Sequence, residues 1–417
     1  MVPVSKSIAI IGAGASGCLC AYFLLNSHTR ISNIRNAHIE ILPSPHSASF
    51  SGEEVSITIF DKGAPLRTLL PTGGGRCNLA HAEYDFRELA RNYPRGEKFL
   101  YSVFSKFSTA DTLETFEEMG IKCYVQENGR IFPESNSAKE VRETLLSKIK
   151  SANFVQEEVV EIKQINDGFK VVTNNCSLTP TLSPRRGSNK YFFTDIILAL
   201  GGHSGYKLVQ NLNIKVVEPR PSLVGLNTKE DFKELSGTVI KGVNCDGIID
   251  DLLFTHFGVS GPLIYTISSK KAFDNMPYKL CIDLAPELID LQDELNNNPH
   301  KEIKNILNKY LPQRVVSFIL KNIDETTKAH KIDGKTRDTI LNKIHHFEIE
   351  IIGTNKGEET VTAGGIDLNE INPKTMEIKN IPNLYAIGEV LNIDGFCGGF
   401  NLQNAWSTAY VCAESFR

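Results

Sequence analysis

The first strongly hydrophobic run of the chain, residues 8–11, is followed at once by three closely spaced glycines and a second apolar stretch. The glycines are Gly12, Gly14 and Gly17, and the second stretch covers residues 18–25. A short continuous apolar run indicates a buried strand, and the longer stretch after the glycines indicates a buried helix. The chain is therefore predicted to begin with a strand, a tight turn and a helix.

Other apolar patterns predict a succession of strands and helices over the first half of the chain. Residues 55–60 predict a strand, and residues 195–200 form a nearly unbroken apolar run of the kind that lies inside a parallel sheet. Residues 137–151 predict an amphipathic helix. Its expected buried face consists of Ala138, Val141, Leu145 and Ile149. Further elements are expected as helices near 86–90, 96–107, 109–119 and 402–416, and as short strands at 159–165, 168–173 and 191–194.

The hydrophobic pattern changes near residue 222, where the strand-like runs become shorter. Helical patterns rich in Asn, Lys and Asp then cover 286–346. Strand-like pieces flank these helices on both sides, at 224–226, 238–243, 247–253, 361–365 and 384–388. The change predicts a β-plus-helical domain inserted at residues 222–353 between the two parts, 1–221 and 354–417, of one α/β Rossmann-like domain.

Each glycine of the first turn has its own role in a dinucleotide-binding fold. Gly12 permits the tight turn, Gly14 lets the backbone approach a pyrophosphate, and Gly17 lets the helix pack closely on the strand. The unpaired N–H groups and the dipole at the helix start favour phosphate charge. The G-x-G-x-x-G pattern is weak by itself. The strand before it and the helix after it favour a nucleotide cofactor, with FAD and NAD as the candidates.

A dinucleotide fold also requires an acid for the adenosine ribose, usually about 20 residues after the glycines. No acid fits cleanly at that distance, because residues 28–54 are rich in Ser, Asn, His and Pro and read as an inserted excursion. Asp61 ends the apolar strand at 55–60 and is the predicted ribose-binding acid. Glu40 is the competing acid, and we interpret it as part of an inserted hairpin.

Two further glycine-rich turns are expected near the cofactor. Three consecutive glycines at 73–75 cannot lie inside a helix and predict a loop. The segment 386–389 fits the Ala-x-Gly-Asp/Glu turn that approaches the pyrophosphate and ribityl chain in two-dinucleotide-fold flavoproteins. A second G-x-G-x-x-G is absent from the sequence. A dedicated NADPH domain is therefore not expected, although NAD(P)H could still reach the flavin as a transient reductant.

Composition and charge restrict the classes of function. The 417 residues carry a net charge of −4 without a notable Lys/Arg run, so no nucleic-acid partner is expected. The nine cysteines form no C-x-x-C pair, which argues against zinc and dithiol sites and favours a reducing cytoplasm. No stretch approaches the roughly 18 apolar residues of a membrane span, and the N-terminus makes a poor signal peptide. The pair His345 and His346 lacks metal-ligand spacing, so no metal site is predicted.

Motifs spread along the whole chain resemble one family. The most specific are G-G-G-R-C-N at 73–78 and the segment 388–406. Further matching stretches lie at 12–17, 129–133, 199–202, 254–262, 361–365 and 375–377. The chain resembles the bacterial NAD(P)/FAD-dependent oxidoreductases of the aminoacetone oxidase-like or BaiN-like type. It departs from them in the longer excursion at 28–54 and in a shorter segment after Gly202.

The resemblance implies FAD, bound in a two-dinucleotide-fold domain. The N-terminal glycine turn would line the pyrophosphate, Asp61 would hold the ribose, and Val159 or Val160 would present backbone to the adenine. The loop at 74–78 and the C-terminal turn would approach the flavin and ribityl chain. The implied FAD-binding residues are Gly12, Gly14, Ala15, Ser16, Gly17, Asp61, Lys62, Gly74, Arg76, Cys77, Asn78, Val159, Val160, Ala199, Gly201, Gly202, Gly388, Glu389, Gly399, Asn401 and Leu402.

Two residues are candidates for catalysis. Arg76 is expected beside the flavin, with an ordinary exposed arginine as the alternative. His256 is flanked by aromatic residues, which favours a structural role, but histidine titrates near neutral pH and would suit proton transfer at a substrate. Cys77 has no partner cysteine and is expected to be a packing residue rather than a redox thiol.

These observations lead to one functional hypothesis. The chain is expected to be an FAD-dependent oxidoreductase that exchanges electrons with a small organic substrate, with the inserted domain capping the site. Two alternatives stay open: a tRNA-modifying flavoprotein of the same fold, and a flavin-binding sensor without turnover.

Overall fold

The computed structural model describes residues 6–26, 49–50, 53–174, 188–202, 205–355, 357 and 361–417. The chain divides into two compact units. The first unit combines Met1–Pro219 with Thr362–Arg417, and the second unit is Arg220–Val361. The predicted hairpin around Glu40 lies outside the described residues.

A five-stranded parallel sheet forms the centre of the first unit. In spatial order its strands are Leu384–Ala386, Asp195–Leu198, Ser7–Ile11, Ser56–Phe60 and Asn153–Val155. Ile10 lies opposite Ile197 on one side and Ile59 on the other, and all three side chains are fully buried. Burial on both faces explains the continuous apolar runs in the sequence.

Smaller sheets surround this centre. One antiparallel sheet consists of Ala80–His81, Arg130–Pro133 and Cys123–Val125. Another, called here the three-stranded sheet, consists of Ser188–Phe193, Gly168–Asn174 and Glu158–Ile165. Two-stranded sheets are formed by Val216–Ser222 with Val361–Ile366 and by Ser49–Phe50 with Glu53–Glu54.

Helices cover the parallel sheet, and the first and the last of them pack against each other. Rings of Phe23 and Tyr410 meet edge to face at 5.1 Å in this contact. The face predicted for the helix after residue 137 is confirmed, because all four of its apolar side chains are buried. The helices are Ala15–Leu25, Phe86–Ala90, Glu97–Phe104, Thr109–Glu118, Ala138–Lys148, Tyr206–Asn211 and Phe400–Glu414, with 3-10 turns at Arg67–Leu69, Leu368–Glu370 and Gly388–Val390. Among the described residues, no helix combines the length and the apolar character needed to cross a bilayer.

The second unit has its own sheet and its own core. In this core, the ring centre of Phe254 lies 5.1 Å from that of Phe232 and 6.1 Å from that of Phe347. In spatial order the antiparallel strands are Val239–Cys245, Ile248–Phe254, Gly258–Ser260, Leu226–Thr228, Phe347–Thr354 and Tyr278–Ile282. The helices are Pro262–Lys270, Leu291–Asn297, Ile303–Leu307, Gln313–Ile319 and Gly334–His345, with 3-10 turns at Lys233–Leu235 and Ala329–Lys331.

A buried ion pair holds the segment that leads into the last helix. Arg95 makes two hydrogen bonds to the carboxylate of Asp394, whose side chain is fully buried. Close by, the Tyr93 hydroxyl donates to the carbonyl oxygen of Phe400 at 2.6 Å. These contacts fix the start of helix Phe400–Glu414 against the short segment between helices Phe86–Ala90 and Glu97–Phe104.

Removing one partner of this ion pair should destabilise the protein strongly. Asp394→Ala leaves Arg95 without its buried carboxylate, which is expected to lower the free energy of unfolding by about 3–5 kcal/mol. Glu88→Ala is the control, because solvent screens the exposed Glu88–Arg91 pair, so its loss should change the free energy of unfolding far less. Urea unfolding followed by circular dichroism measures both changes. Equal losses in the two variants would show that burial does not strengthen the contribution of Asp394.

Candidate functional site

Two glycines of the first turn are required by backbone packing. Gly12 has φ +115°, and a Cβ there would collide with the carbonyl oxygen of Ala199. A Cβ on Gly17 would collide with the carbonyl oxygen of Gly12 and lie 3.2 Å from the Cβ of Ala199. These contacts set the first helix directly against the ends of two parallel strands.

Gly14 differs from its neighbours because the space beside it is open. A Cβ on Gly14 would meet no atom within 4 Å, and the backbone φ of −80° suits any residue. Neither protein packing nor backbone conformation therefore requires glycine at this position. Helix Ala15–Leu25 begins at the next residue, so its first N–H groups lack helical partners. An open glycine at a helix N-terminus offers the backbone approach and the dipole that a phosphate group requires.

Asp61 fixes the same turn through both of its carboxylate oxygens. The N–H of Ala13 donates to Oδ2 at 2.8 Å, and the N–H of Gly63 donates to Oδ1 at 2.7 Å. Asp61 is partly exposed, and each oxygen keeps a second lone pair for another donor. Lys62 is exposed and pairs with Glu158 at 3.3 Å. The carboxylate therefore stands at the end of strand Ser56–Phe60, beside the glycine turn.

The three consecutive glycines form a turn that other residues would strain. Gly73, Gly74 and Gly75 have φ values of +59°, +69° and +86°. The expected loop is thus a single hydrogen-bonded turn, Thr72–Gly75, in which Gly73 and Gly74 are left-handed. A Cβ on Gly73 would lie 2.8 Å from the Phe132 ring, whereas one on Gly74 would meet nothing within 4 Å. Gly74 therefore presents bare backbone on an open side.

Arg76 and Cys77 follow this turn and have different environments. The Arg76 guanidinium lies 4.1 Å from the centre of the Phe132 ring, and its Nε donates to the carbonyl oxygen of Gly73 at 3.1 Å. Cys77 is fully buried, and burial raises the pKa of its thiol to about 12. A thiol with that pKa is neutral near pH 7 and is a poor nucleophile.

Asn78 links the glycine turn to the C-terminal segment. In the amide orientation that satisfies its neighbours, its nitrogen donates to the carbonyl oxygens of Ile131 and Ala80, and its oxygen accepts from the N–H of Gly399 at 3.0 Å. Gly399 has φ +100° and precedes helix Phe400–Glu414. The side chain thus holds the start of the last helix beside the 73–78 turn.

Asn401 and Leu402 lie in the first turn of that helix. The Asn401 amide accepts from the N–H of Gly395 at 2.8 Å and donates to its carbonyl oxygen at 2.9 Å. Leu402 is partly buried against the core of the first unit. The segment between Gly395 and Gly399 is therefore tied down at both ends.

His81 belongs to this part of the site but was not predicted. Its ring stacks on Phe400 at 4.6 Å, and Nδ1 lies 3.1 Å from the carbonyl oxygen of Gly398. Burial lowers the pKa of the imidazole. A lone histidine between two alanines carries no local signal, because the hydrogen-bond and stacking partners of its ring follow it by more than 300 positions.

The C-terminal glycine turn meets the N-terminal one directly. Gly388 has φ +74°, and a Cβ on it would lie 2.5 Å from Ser16 Oγ in the first helix. Its N–H donates to Thr408 Oγ1 at 2.9 Å. The two ends of the chain therefore form one continuous backbone surface.

Glu389 and the glycines after strand Asp195–Leu198 complete this surface. The N–H of Thr362 donates to Glu389 Oε1 at 3.0 Å, and a Cβ on Gly202 would lie 2.6 Å from that oxygen. Gly201 has φ +72°, and a Cβ on it would meet nothing within 4 Å. The buried hydroxyl of Tyr206 has no hydrogen-bond partner among the described residues. Its pKa is raised by burial and by the nearby charge of Glu389.

Val159 and Val160 lie at an irregularity of the three-stranded sheet. Thr173 pairs with Val159 and Val172 pairs with Glu161, so Val160 has no residue directly opposite. Val159 is buried, whereas Val160 is 37% exposed. An unpaired bulge residue is free to present its backbone groups to another molecule.

His256 lies in the second unit, apart along the chain from the other candidates. It is exposed in the turn between strands Ile248–Phe254 and Gly258–Ser260, with its ring 5.2 Å from that of Phe257. Both its proposed proton-transfer role and its structural alternative stay predictions.

The residues of the first unit fit a dinucleotide such as FAD. Gly14, Gly74 and Gly201 each leave open space where a Cβ would stand, whereas Gly12, Gly17, Gly73 and Gly202 are tightly packed. Two helices begin at glycines beside these openings. Asp61 retains acceptor capacity, and Tyr206 retains an orphaned buried hydroxyl. Phosphates, ribose hydroxyls and a polar ring edge are the groups that such a surface can bind.

Comparison with known proteins identifies the family of the chain. Residues 46–415 match the HI0933-like protein Rossmann domain family. A ribosomal RNA dihydrouridine synthase of Haemophilus influenzae is 30% identical over 97% of both chains. A protein of the same name from Escherichia coli is 27% identical over 97% of this chain and 96% of its own. A 3-dehydro-bile acid delta(4,6)-reductase of Clostridium scindens is 25% identical over 98% of both.

The match to the family model covers most of the chain, and the relatives align with it over nearly their whole length. The glycine turns at its two ends meet in one surface suited to a dinucleotide. The chain belongs to the HI0933-like Rossmann flavoprotein family and is an FAD-dependent oxidoreductase.

Proposed function

We propose that this enzyme reduces a carbon–carbon double bond conjugated to a carbonyl group. The observation that carries the proposal is a chemical feature shared by the named relatives. Dihydrouridine is uridine whose ring C=C bond, conjugated to a carbonyl, has been reduced, and a delta(4,6)-reductase of a 3-oxo bile acid acts on double bonds conjugated to the 3-oxo group. Both reactions add a hydride and a proton across an activated double bond.

When bound, FAD in its reduced form supplies the hydride for this chemistry. We assign the pyrophosphate to the open backbone at Gly14 and the adenosine ribose to Asp61. The adenine is assigned to the bulge at Val160. The start of helix Phe400–Glu414, fixed by Asn78 and Asn401, would direct a positive dipole at the flavin and stabilise negative charge on the reduced ring.

The remaining steps need an electron source and a proton donor. We propose NAD(P)H as the reductant that reaches the flavin directly. Arg76, held by Gly73 and Phe132, would place its positive charge near the flavin. His256 is the proposed proton donor to the carbon next to the carbonyl group, with the structural role as its alternative.

Two substrate classes fit this reaction. The names of the two relatives above 25% identity favour a uridine in ribosomal RNA. The Clostridium scindens relative, together with the net charge of −4, favours a small unsaturated ketone. Under the first alternative, the enzyme would bind a nucleic acid, unlike what its net charge predicts.

The open side of Gly14 generates the first prediction for the cofactor. Gly14→Val should keep the fold, because a Cβ there meets no protein atom within 4 Å, but the side chain should block the pyrophosphate. The variant is expected to purify without flavin colour, whereas the wild type should release FAD on heating. Gly334→Val is the matched control, since Gly334 also starts a helix and has open surroundings. Stoichiometric FAD in Gly14→Val would place the phosphates elsewhere.

The carboxylate of Asp61 generates a second prediction. Asp61→Ala should lose a hydrogen bond to the ribose worth about 1.5–3 kcal/mol. The FAD dissociation constant should therefore rise roughly 10- to 150-fold. Asp61→Asn, which keeps one acceptor oxygen, should lose less. Because Asp61 also accepts from Ala13 and Gly63, thermal unfolding of the apoprotein must be measured alongside. Unchanged FAD affinity in Asp61→Ala would indicate another acid, such as Glu40.

The reaction class is tested with the reduced enzyme under anaerobic conditions. Unmodified ribosomal RNA transcripts and a 4,6-diene-3-oxo steroid are added separately. One of them should oxidise the flavin and gain two hydrogens, as measured by absorbance and mass spectrometry. His256→Gln should slow this oxidation by about 100-fold if His256 donates the proton. No reaction with either compound would exclude the proposed function for these substrates, and a wild-type rate in His256→Gln would leave the structural role.

A further inference from the structure

One face of the three-stranded sheet is exposed although the other face is part of the core. Ile162, Phe169, Val171 and Phe193 point into the core of the first unit. Since side chains alternate between the faces of a strand, the residues between them lie on the opposite face. That face carries an aromatic ring and several lysines.

The cross-strand register places these residues side by side. Lys170 lies directly opposite Phe192 on one neighbouring strand and Lys163 on the other. Lys190 is two residues before Phe192 and therefore lies on the same face. The Phe192 side chain is 63% exposed. We call this set, Phe192 with Lys163, Lys170 and Lys190, the lysine–phenylalanine face.

The positive charge of this face is only partly neutralised. Glu161 pairs with Lys163 at 2.9 Å, and Glu158 pairs with Lys62 at 3.3 Å. Neither Lys170 nor Lys190 has an ion-pair partner within the part of the chain that the structure describes. Like charges directly opposite each other in a sheet are destabilising, as for Lys163 and Lys170. A bound anion would relieve that repulsion.

An exposed aromatic ring among unpaired lysines is the arrangement that binds single-stranded nucleic acid. Bases stack on the ring, because every base has a flat π-face, and ammonium groups neutralise the phosphates between them. A second copy of this chain fits less well. It would bring lysines against lysines if the two faces met symmetrically.

We propose that the lysine–phenylalanine face binds a single-stranded segment of RNA, with a base on Phe192 and phosphates at Lys170 and Lys190. The proposal rests on the proposed function for the choice of RNA as substrate. It explains how a chain with a net charge of −4 can hold RNA, since the positive charge is concentrated on one sheet face.

Binding of fluorescein-labelled oligouridine to the FAD-loaded enzyme, followed by anisotropy over a salt series, tests this face. Phe192→Ala should weaken binding about 5- to 150-fold, as expected for loss of one base–ring stack. Lys170→Glu and Lys190→Glu should each weaken binding and lower the salt slope by about 0.7 or more. Tyr84→Ala and Lys148→Glu are matched controls, because they change an exposed aromatic residue and an exposed lysine elsewhere in the first unit. All variants should retain FAD and the wild-type flavin spectrum.

Several outcomes would overturn the proposal. Failure of the wild type to bind oligouridine would do so, as would equal affinities in Phe192→Ala and Tyr84→Ala. Sedimentation showing that Phe192→Ala dissociates a dimer, without affecting RNA affinity, would assign the face to a second copy. If Phe192→Ala weakened binding to phosphatidylglycerol vesicles but left the affinity for oligouridine unchanged, the face would be assigned to a membrane surface.

The binding test is independent of the proposed reaction. RNA binding that depends on Phe192, without reduction of uridine, would support this face and reject an RNA uridine as substrate. If Phe192→Ala bound ribosomal RNA and reduced its uridine as the wild type does, the RNA-binding role of this face would be rejected. The proposed reaction would stand.

Discussion

The structure depends on close approach of the backbone at positions that have no side chain. Gly12 lies against the carbonyl oxygen of Ala199, Gly17 lies against Gly12, and Gly388 lies against Ser16. A Cβ at any of these points would separate elements that the parallel sheet requires to be in contact. The carboxyl ends of three neighbouring strands consequently meet at one edge of the sheet, where ligands bind in open α/β folds.

Both tight and open glycines occur in the turns that form the candidate site. The tight ones position the backbone, and the open ones, Gly14 and Gly74 among them, leave room for something other than protein. Side chains then hold the arrangement from outside. Asp61 accepts from the first turn, and Asn78 accepts from Gly399. A site of this kind is built mainly from main-chain N–H groups, which makes it suited to phosphate and ribose rather than to one particular substrate.

Much of this framework could be predicted because its requirements are local. A glycine turn between an apolar strand and an apolar helix has a residue-type signature, and Asp61 ends its strand visibly. Tyr206 and Thr362 could not be found in this way, since each is brought near Glu389 only by folding. The same holds for His81, whose partners follow it by more than 300 residues.

Some elements were missed for physical reasons that the structure makes plain. Strand Val216–Ser222 contains Pro219 and Pro221, which argue against a strand in sequence, yet it belongs to a sheet of only two strands, where both are edges. Strand Tyr278–Ile282 alternates exposed and buried residues over only five positions, too few for a periodicity to stand out. Helix Tyr206–Asn211 is six residues long and starts at a left-handed glycine.

The pairing of the first helix with the last also has a consequence for synthesis of the protein. Helix Ala15–Leu25 leaves the ribosome long before helix Phe400–Glu414 has been made. Its apolar side chains, such as Leu19 and Phe23, are therefore synthesised before the helix on which the first helix packs. During that interval the dinucleotide turn is complete in sequence but lacks the contact between Ser16 and Gly388. The backbone surface that the two glycine turns form together is therefore assembled only after helix Phe400–Glu414 has been synthesised.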